Sequence, residues 1–337
     1  MNPIDKFDQF DKFDKFDQFD HEHADALKSI WFLGDVHGAF GHIAQALLAA
    51  SDKPRWLVFL GDIDIDHLTF REVMAPLSRN FPAIKVAFIH GNHDADSYQH
   101  WEMLHDCGDA VALHAQVTKL DGVRVAGLGG HFMGRVWRPP APASFQNKHQ
   151  AMRQGAFQWR GGQKPNPSLH AAIYPDDVAA LSNQEADILV THEAPSCHPH
   201  GFAALDVLAR SMRVVRAFHG HHHDDLSAHY LPGRQQRGFD ARAVDCCGIK
   251  NGLGEVIRAG DAGWQAAACG NLPRPCISIR PWLTRDGLWP VTCDLWPPAA
   301  RAEVASDNAH EHPMLARHPI HDSAKGKDCT GIVGLCA

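Results

Sequence analysis

No run of about 18 consecutive apolar residues occurs in the 337-residue chain, so no membrane-spanning helix is expected. The N-terminus carries Asp and Lys where a secretory signal would need an apolar stretch, so none is expected there. C-x-x-C pairs are absent: the nine cysteines are odd in number and scattered, with Cys246 and Cys247 adjacent. A disulfide framework is therefore not expected, and a reducing, cytoplasmic setting fits the composition. Positive charge is not in excess either. With 32 Lys and Arg against 39 Asp and Glu, the formal net charge is −7, which lacks the basic footprint of a general nucleic-acid binder. One region reverses that balance, since no Asp or Glu occurs from Gly122 through Pro175.

What the chain does have is a series of short polar motifs, each placed after an apolar run. They are Gly34-Asp35-Val36-His37-Gly38, Gly61-Asp62, Gly91-Asn92-His93-Asp94, Thr191-His192 and Gly220-His221-His222-His223. The runs before them are Ser29–Leu33, Trp56–Leu60, Val86–His90, Ile188–Val190 and Val214–Phe218. Runs of this length suit strands buried on both faces. Helical spacing appears between them, over Ala39–Ala50, Leu68–Ser78, Asp176–Leu181 and Ala203–Ser211. Strands alternating with helices predict an α/β fold, and in such folds ligands bind at the loops beyond the strand ends. Asp, Asn and His are the side chains that hold hard or borderline divalent metals. Five such loops in order predict one site assembled from distant segments.

The ordered set D-x-H, G-D, G-N-H-[DE], a lone His and G-H-x-H resembles the signature of the calcineurin-like metallophosphoesterase superfamily. The resemblance covers residues 28–260 and implies a four-layer α/β/β/α sandwich with flexible terminal extensions. It also implies a phosphomonoesterase or phosphodiesterase with a dinuclear metal site and a bridging hydroxide. Carried over by motif, Asp35, His37 and His223 would hold one metal, Asn92, His192 and His221 the other, and Asp62 would bridge them. His93 matches the family's catalytic histidine and Asp94 the acid that orients it. The metals themselves stay open among Mn, Fe, Zn, Ni and Co, because this donor set suits all of them. The chemistry fits the residues. Two cations about 3.5–4 Å apart neutralise a phosphoester's oxygens and lower the pKa of water from about 16 to roughly 7. A protonated His93 could then serve the leaving alkoxide.

Two departures narrow the reading. Ile65 stands where many relatives carry a second Asp, flanked by Asp64 and Asp66 and with no Arg-Gly following. This disfavours a protein serine/threonine phosphatase, and the acidic net charge disfavours a nuclease. His222 lies inside the last block, so His221 and His223 are assigned by motif phase. A non-catalytic metal-binding scaffold with the same fold is the reading from another class, although all seven ligand-type positions are occupied. His42, His114, His149 and His170 are assigned to nothing. Gly127-Leu128-Gly129-Gly130 lacks the full dinucleotide-loop spacing and reads as a turn closing a strand over Val123–Ala126.

The acid-free segment contains a basic insertion at 131–168, with Arg135, Arg138, Lys148, Arg153 and Arg160 among Phe132, Trp137, Phe145, Phe157 and Trp159. It reads equally as a solvated loop or as a lid whose Arg135 and Arg138 attract the phosphate of a small phosphoester or nucleotide. Its aromatics would stack on a base or pack a local core. Residues 1–27 begin with a five-fold Asp-Lys/Gln-Phe triplet whose period matches neither strand nor helix. They read as a disordered tail with no identified protein partner. Gly252–Ile257 looks like the last turn and strand, and 261–337 reads as a mostly irregular extension.

Overall fold

The computed structural model describes residues 14–65, 67–154 and 166–261. Two sheets carry the fold. The strands are β1 (Ile30–Leu33), β2 (Trp56–Leu60), β3 (Lys85–Ile89), β4 (Val111–Ala112), β5 (Gln116–Leu120), β6 (Val123–Leu128), β7 (Ile188–Thr191), β8 (Arg216–His219), β9 (Asp240–Ala243), β10 (Ile249–Asn251) and β11 (Val256–Arg258). One sheet has the order β11-β10-β1-β2-β3-β4 and the other β5-β6-β7-β8-β9. Pairing is parallel from β1 to β4 and from β6 to β9, with antiparallel edges at β10, β11 and β5.

Alternation along the strands explains the stacking. In β1, Ile30 and Phe32 face the second sheet while Trp31 and Leu33 face outward. In β2, Trp56, Val58 and Leu60 point inward and Leu57 and Phe59 outward. Both faces are apolar, so both must be covered. Between the sheets Phe32 stacks on Phe218 with ring centroids 4.0 Å apart. Outside the first sheet pack the helices at Gly41–Ala49, Phe70–Asn80 and Tyr98–His105. Outside the second lie those at Pro175–Ser182 and Ala203–Ser211. The order helix, sheet, sheet, helix is the expected four-layer α/β/β/α sandwich.

The helix at Phe70–Asn80 shows how locally its placement is written. Thr69 Oγ1 accepts from Glu72 N at 3.3 Å while Glu72 Oε2 accepts from Thr69 N at 2.8 Å, a capping box at the start. Phe70, Val73, Met74 and Leu77 then supply one buried face at helical spacing. The parallel strands β1, β2 and β3 all end at one edge of their sheet, as do β6, β7 and β8 in theirs. That common geometry places the loops of all five motifs together.

The N-terminal segment departs from the expectation of a disordered tail through residue 27. Helix α1 (Lys15–Glu22) is followed by α2 (Ala24–Ser29). Asp14 caps α1, accepting from Phe16 N and Asp17 N, each at 3.0 Å. A three-residue period drifts about 60° per repeat around a helix, so five phenylalanines would wind around it, yet two neighbours stay on one face. Those two are Phe16 and Phe19, both buried. The same period aligns Asp14, Asp17 and Asp20. Asp14 and Asp17 pair with Arg234, and Asp20 pairs at 2.9 Å with Arg216, which is 1% exposed and also bonded to Asp240 and to Gly252 O. The earlier triplets and the extension from 262 onward lie outside the described residues.

The described part of the basic insertion is packed as well. Val136, Phe145, Ala151, Leu169, Ala172 and Tyr174 form a small separate core, and Trp137 packs against it. Its aromatics Phe132, Trp137 and Phe145 therefore serve packing, while Phe157, Trp159, Arg160 and Lys164 lie outside the described residues. If α1 is an integral part of the fold, Phe16→Ala should cost about 3–5 kcal/mol in denaturant unfolding. An unchanged midpoint would show that the helix does not dock in solution.

Candidate metal centre

Each polar motif leaves its strand through a tight loop, and backbone strain collects there. His37, Asp62, Asp64, His221 and His223 all have positive φ, between 44° and 73°. Non-glycine residues held this way cost of order 1–3 kcal/mol each and persist only where their surroundings fix them. The surroundings are a mesh of backbone donors. His37 N donates to Asp62 O at 3.0 Å, His93 N to Asp62 Oδ1 at 2.8 Å and His221 N to Asp35 Oδ2 at 2.9 Å. Two glycines make room for the carboxylates. A Cβ at Gly91 would lie 2.2 Å from Asp62 Oδ1, and one at Gly220 would lie 2.4 Å from Asp35 Oδ1.

The structure brings six of the predicted ligand positions into two groups that could hold a cation. Asp35, His37, Asp62 and His223 make one, and Asp62, His192 and His221 the other, with donor atoms in each group within 4.8 Å of one another. Asp62 belongs to both. Asn92, the seventh position, adjoins the second group, its Oδ1 lying 3.0 Å from His192 Nε2. His192 Nδ1 sits 2.8 Å from Leu60 O, so that nitrogen donates, and Nε2 faces Asp62 Oδ2 at 3.4 Å. His37 Nε2 and His223 Nε2 face each other at 3.1 Å, and His223 Nε2 is 3.0 Å from Asp35 Oδ2. Lone-pair donors converging on shared points fit divalent cations well.

The electrostatics agree. Burial opposes ionisation of Asp62, but the imidazoles of His192, His37 and His93 outweigh it and hold the carboxyl well below its ordinary range. For His192 burial works against the charged form, yet Asp62 and then Asp35 raise it to about 10. With no cation counted, the carboxylates draw a proton onto the imidazole beside them. A bound cation would take over that role and release the proton.

The histidine of the third motif is placed differently from the expectation. Asp94 does not orient His93. Its two oxygens accept from Asp64 N and Gly91 N, each at 2.8 Å, so it ties the second and third motif loops together. Burial, with Asp62 nearby, pushes the Asp94 carboxyl up to about 7. The partner of His93 is Asp96, with Nδ1 to Oδ2 at 3.0 Å. The reason is local: His93–Ala95 form a 3-10 turn, in which side chains at i and i+3 eclipse while neighbours diverge. The Asp96 contact is the largest influence on His93 and raises it to about 9, although burial opposes this.

One neighbour was not legible in the motif pattern. His131 follows β6, the strand whose end corresponds to those bearing His192 and His221. It is electrostatically coupled to His192, Asp62 and His93. The signal available was Gly129-Gly130, a turn at a strand end with His immediately after. Indeed β6 runs on through Leu128, two residues beyond the expected strand, and Gly130 turns with φ of 89°.

Arg135 and Arg138 are not brought together. Exposed Arg135 lines a cavity of about 400 Å³ with Met133, Gly134, Asn166 and Ser168. Arg138 lies 5.4 Å over the Phe202 ring and lines a second cavity of about 400 Å³ with Pro139, Pro140, Pro199 and His200. Among the unassigned histidines, His114 and His170 sit in a separate cluster with His90, Trp101 and Lys148.

Known proteins bear on this geometry. The family model described as calcineurin-like phosphoesterase matches residues 28–225. An uncharacterised protein of Haemophilus influenzae is 36% identical over 202 residues, covering 59% of this chain and 84% of that one. A crystal structure 13% identical covers 66% of this chain and 95% of the other with a TM-score of 0.41, too slight a likeness to bear on the fold. Among the described residues no helix is long and apolar enough to cross a membrane. The family match spans every one of the five ordered motifs, and the chain belongs to the calcineurin-like phosphoesterase family.

Proposed function

We propose that the protein is a hydrolase of small phosphomonoesters or phosphodiesters, nucleotides among them, working in the cytoplasm with two divalent cations. The observation that carries this reading is Asp62, whose carboxylate is shared by both donor groups. A carboxylate can serve two ions because its oxygens point in different directions. In this reading Asp35, His37, Asp62 and His223 hold one cation, and Asp62, Asn92, His192 and His221 hold the other. Divalent cations bound there would supply Lewis-acid chemistry, neutralising phosphoryl charge and activating water. Manganese is a suitable first test, and the donor set equally suits Fe, Zn, Ni or Co.

The protein's own groups do the rest. His93 is the proton donor to the leaving alkoxide: Asp96 occupies Nδ1, which leaves Nε2 for substrate. Asp94 keeps the loops of the second and third motifs in register through its two backbone bonds. Arg135 offers a guanidinium at the rim of its cavity and Arg138 another beside Phe202, each suited to a substrate's anionic or ring-bearing arm.

The test begins with chelation, reloading with Mn²⁺, and assay on p-nitrophenyl phosphate and its bis ester. Turnover should return with the metal. His93→Ala should lower kcat by about 10²-fold or more while Mn²⁺ still binds, whereas Asp62→Ala should lose both binding and turnover. Stoichiometric metal binding without turnover on a broad phosphoester panel would favour a scaffold and sink the enzyme reading.

A pH profile examines the dyad. Asp96 favours the protonated form of His93, so an acid role gives activity that is lost as pH rises through the His93 pKa. In Asp96→Asn that alkaline limb should move to lower pH; an unmoved limb would remove Asp96 from the mechanism. For the arginines, Arg135→Ala and Arg138→Ala should raise KM more than they lower kcat. Unchanged KM across several phosphoesters would reject their contact with substrate.

A further inference from the structure

Behind the Asp35 loop, the turn that follows β9 presents two adjacent thiols to one carbonyl. Cys247 N donates to Asp35 O at 3.0 Å, and Cys246 Sγ lies 3.3 Å from the same oxygen. Cys247 Sγ is 3.8 Å from Asp35 O and 3.9 Å from Val36 O. Cys247 adopts a left-handed backbone, φ 56°, which keeps both side chains on this one oxygen. The fit has little slack, since Gly34 N donates to Gly248 O at 3.0 Å and a Cβ at Gly34 would lie 2.0 Å from Asp245 O. Asp35 is thus gripped on two sides: its carboxylate faces the donor groups of the centre, and its carbonyl is held by the dithiol.

Thiols are weak donors, so a hydroxyl would hold a carbonyl as well or better. What adjacent thiols add is chemistry with each other. We propose that Cys246 and Cys247 form a modification site, a vicinal dithiol that a small hydroperoxide closes to a disulfide, loosening Asp35 and weakening cation binding. One sulfur attacks the peroxide, breaking the O–O bond and leaving a sulfenic acid with release of an alcohol or water. The second sulfur displaces water from it, so two S–H bonds and one O–O bond are lost and one S–S bond forms. The peroxide is reduced by the two electrons that the dithiol gives up.

Two physical features make this a reversible device and not damage. Neighbouring Cα atoms are about 3.8 Å apart across a trans peptide, shorter than the usual span of about 4.4–6.8 Å in disulfides. The bond would therefore be strained and readily reduced. Closure also removes both S–H donors from the Asp35 and Val36 carbonyls and twists the turn whose Cys247 N–H holds Asp35. Since both thiols are buried, with exposures of 0% and 2%, only small reagents should reach them through local opening of the turn. Cys107 and Cys197, the other free cysteines of the described residues, have no such neighbour.

The inference rests on the proposed metal centre, and the experiment separates the two. Full-length protein is treated with diamide, which takes up the same two electrons and two protons without peroxide chemistry at bound metal. Peptide mapping should find two hydrogens lost from the peptide holding Cys246 and Cys247. Calorimetric Mn²⁺ affinity should drop by about tenfold or more, in the range of lost outer contacts to metal ligands, and dithiothreitol should restore it. Cys246→Ser, which keeps a donor, should bind Mn²⁺ like the reduced protein and ignore diamide. Unchanged affinity after the disulfide forms, no disulfide in the folded chain, or equal sensitivity in Cys246→Ser would each overturn the proposal. If the reduced protein and Cys246→Ser both fail to bind Mn²⁺, it is the metal-centre reading that falls.

Discussion

Two carboxylates buried side by side set the terms for the rest of the molecule. Asp35 and Asp62 are each about 1% exposed, and each raises the cost of ionising the other. Removing a carboxylate from water costs several kcal/mol even after a protein relaxes around it. The groups set against them are imidazoles and backbone N–H donors, with His192, His223 and His37 nearest in effect. Such a cluster is poorly balanced by protein atoms alone, and a divalent cation is the chemistry that balances it. The same logic accounts for the left-handed backbone at His37, Asp62, His221 and His223. Local strain is tolerated because each loop leaves a buried strand and is held by hydrogen bonds to the neighbouring motif loops.

The double sheet is what makes convergence achievable. A single parallel sheet aligns the ends of its own strands, but here β1, β2 and β3 deliver Asp35, Asp62 and Asn92 from one sheet while β7 and β8 deliver His192, His221 and His223 from the other. The apolar layer between them, with Phe32 on Phe218 at its centre, fixes the distance between the two sets. Packing energy thereby becomes positional precision at the edge. The N-terminal helix contributes to the same end: Asp20 reaches Arg216 at the start of β8, and buried Asp240 meets that guanidinium from β9.

Much of this was legible from residue order. Apolar runs three to five residues long announced the strands, and a polar motif at the end of each announced where the chemistry would gather. The run at Val214–Phe218 was displaced only slightly, because β8 begins at Arg216, a buried charge whose partners lie far along the chain. Periodicity misled at the N-terminus. Five phenylalanines at a spacing of three cannot share a helical face, but Phe16 and Phe19 need only be two, and Asp14 supplied the cap. His131 escaped because a single histidine after two glycines carries no motif of its own.

By itself the sequence determined which side chains could grip a cation, since ligand chemistry belongs to the residue and motif order to the chain. It also determined the alternation that buries both faces of each sheet. Only tertiary structure decided who partners whom. Asp94 adjoins His93 in sequence and Asp96 lies three residues on, yet the nearer acid goes to the backbone of Gly91 and Asp64 and the farther one to the imidazole. Asp62 is one carboxylate among many until two sheets bring His37 and His192 to opposite sides of it. Contacts between segments more than a hundred residues apart are set by packing, and packing is a property of the whole fold.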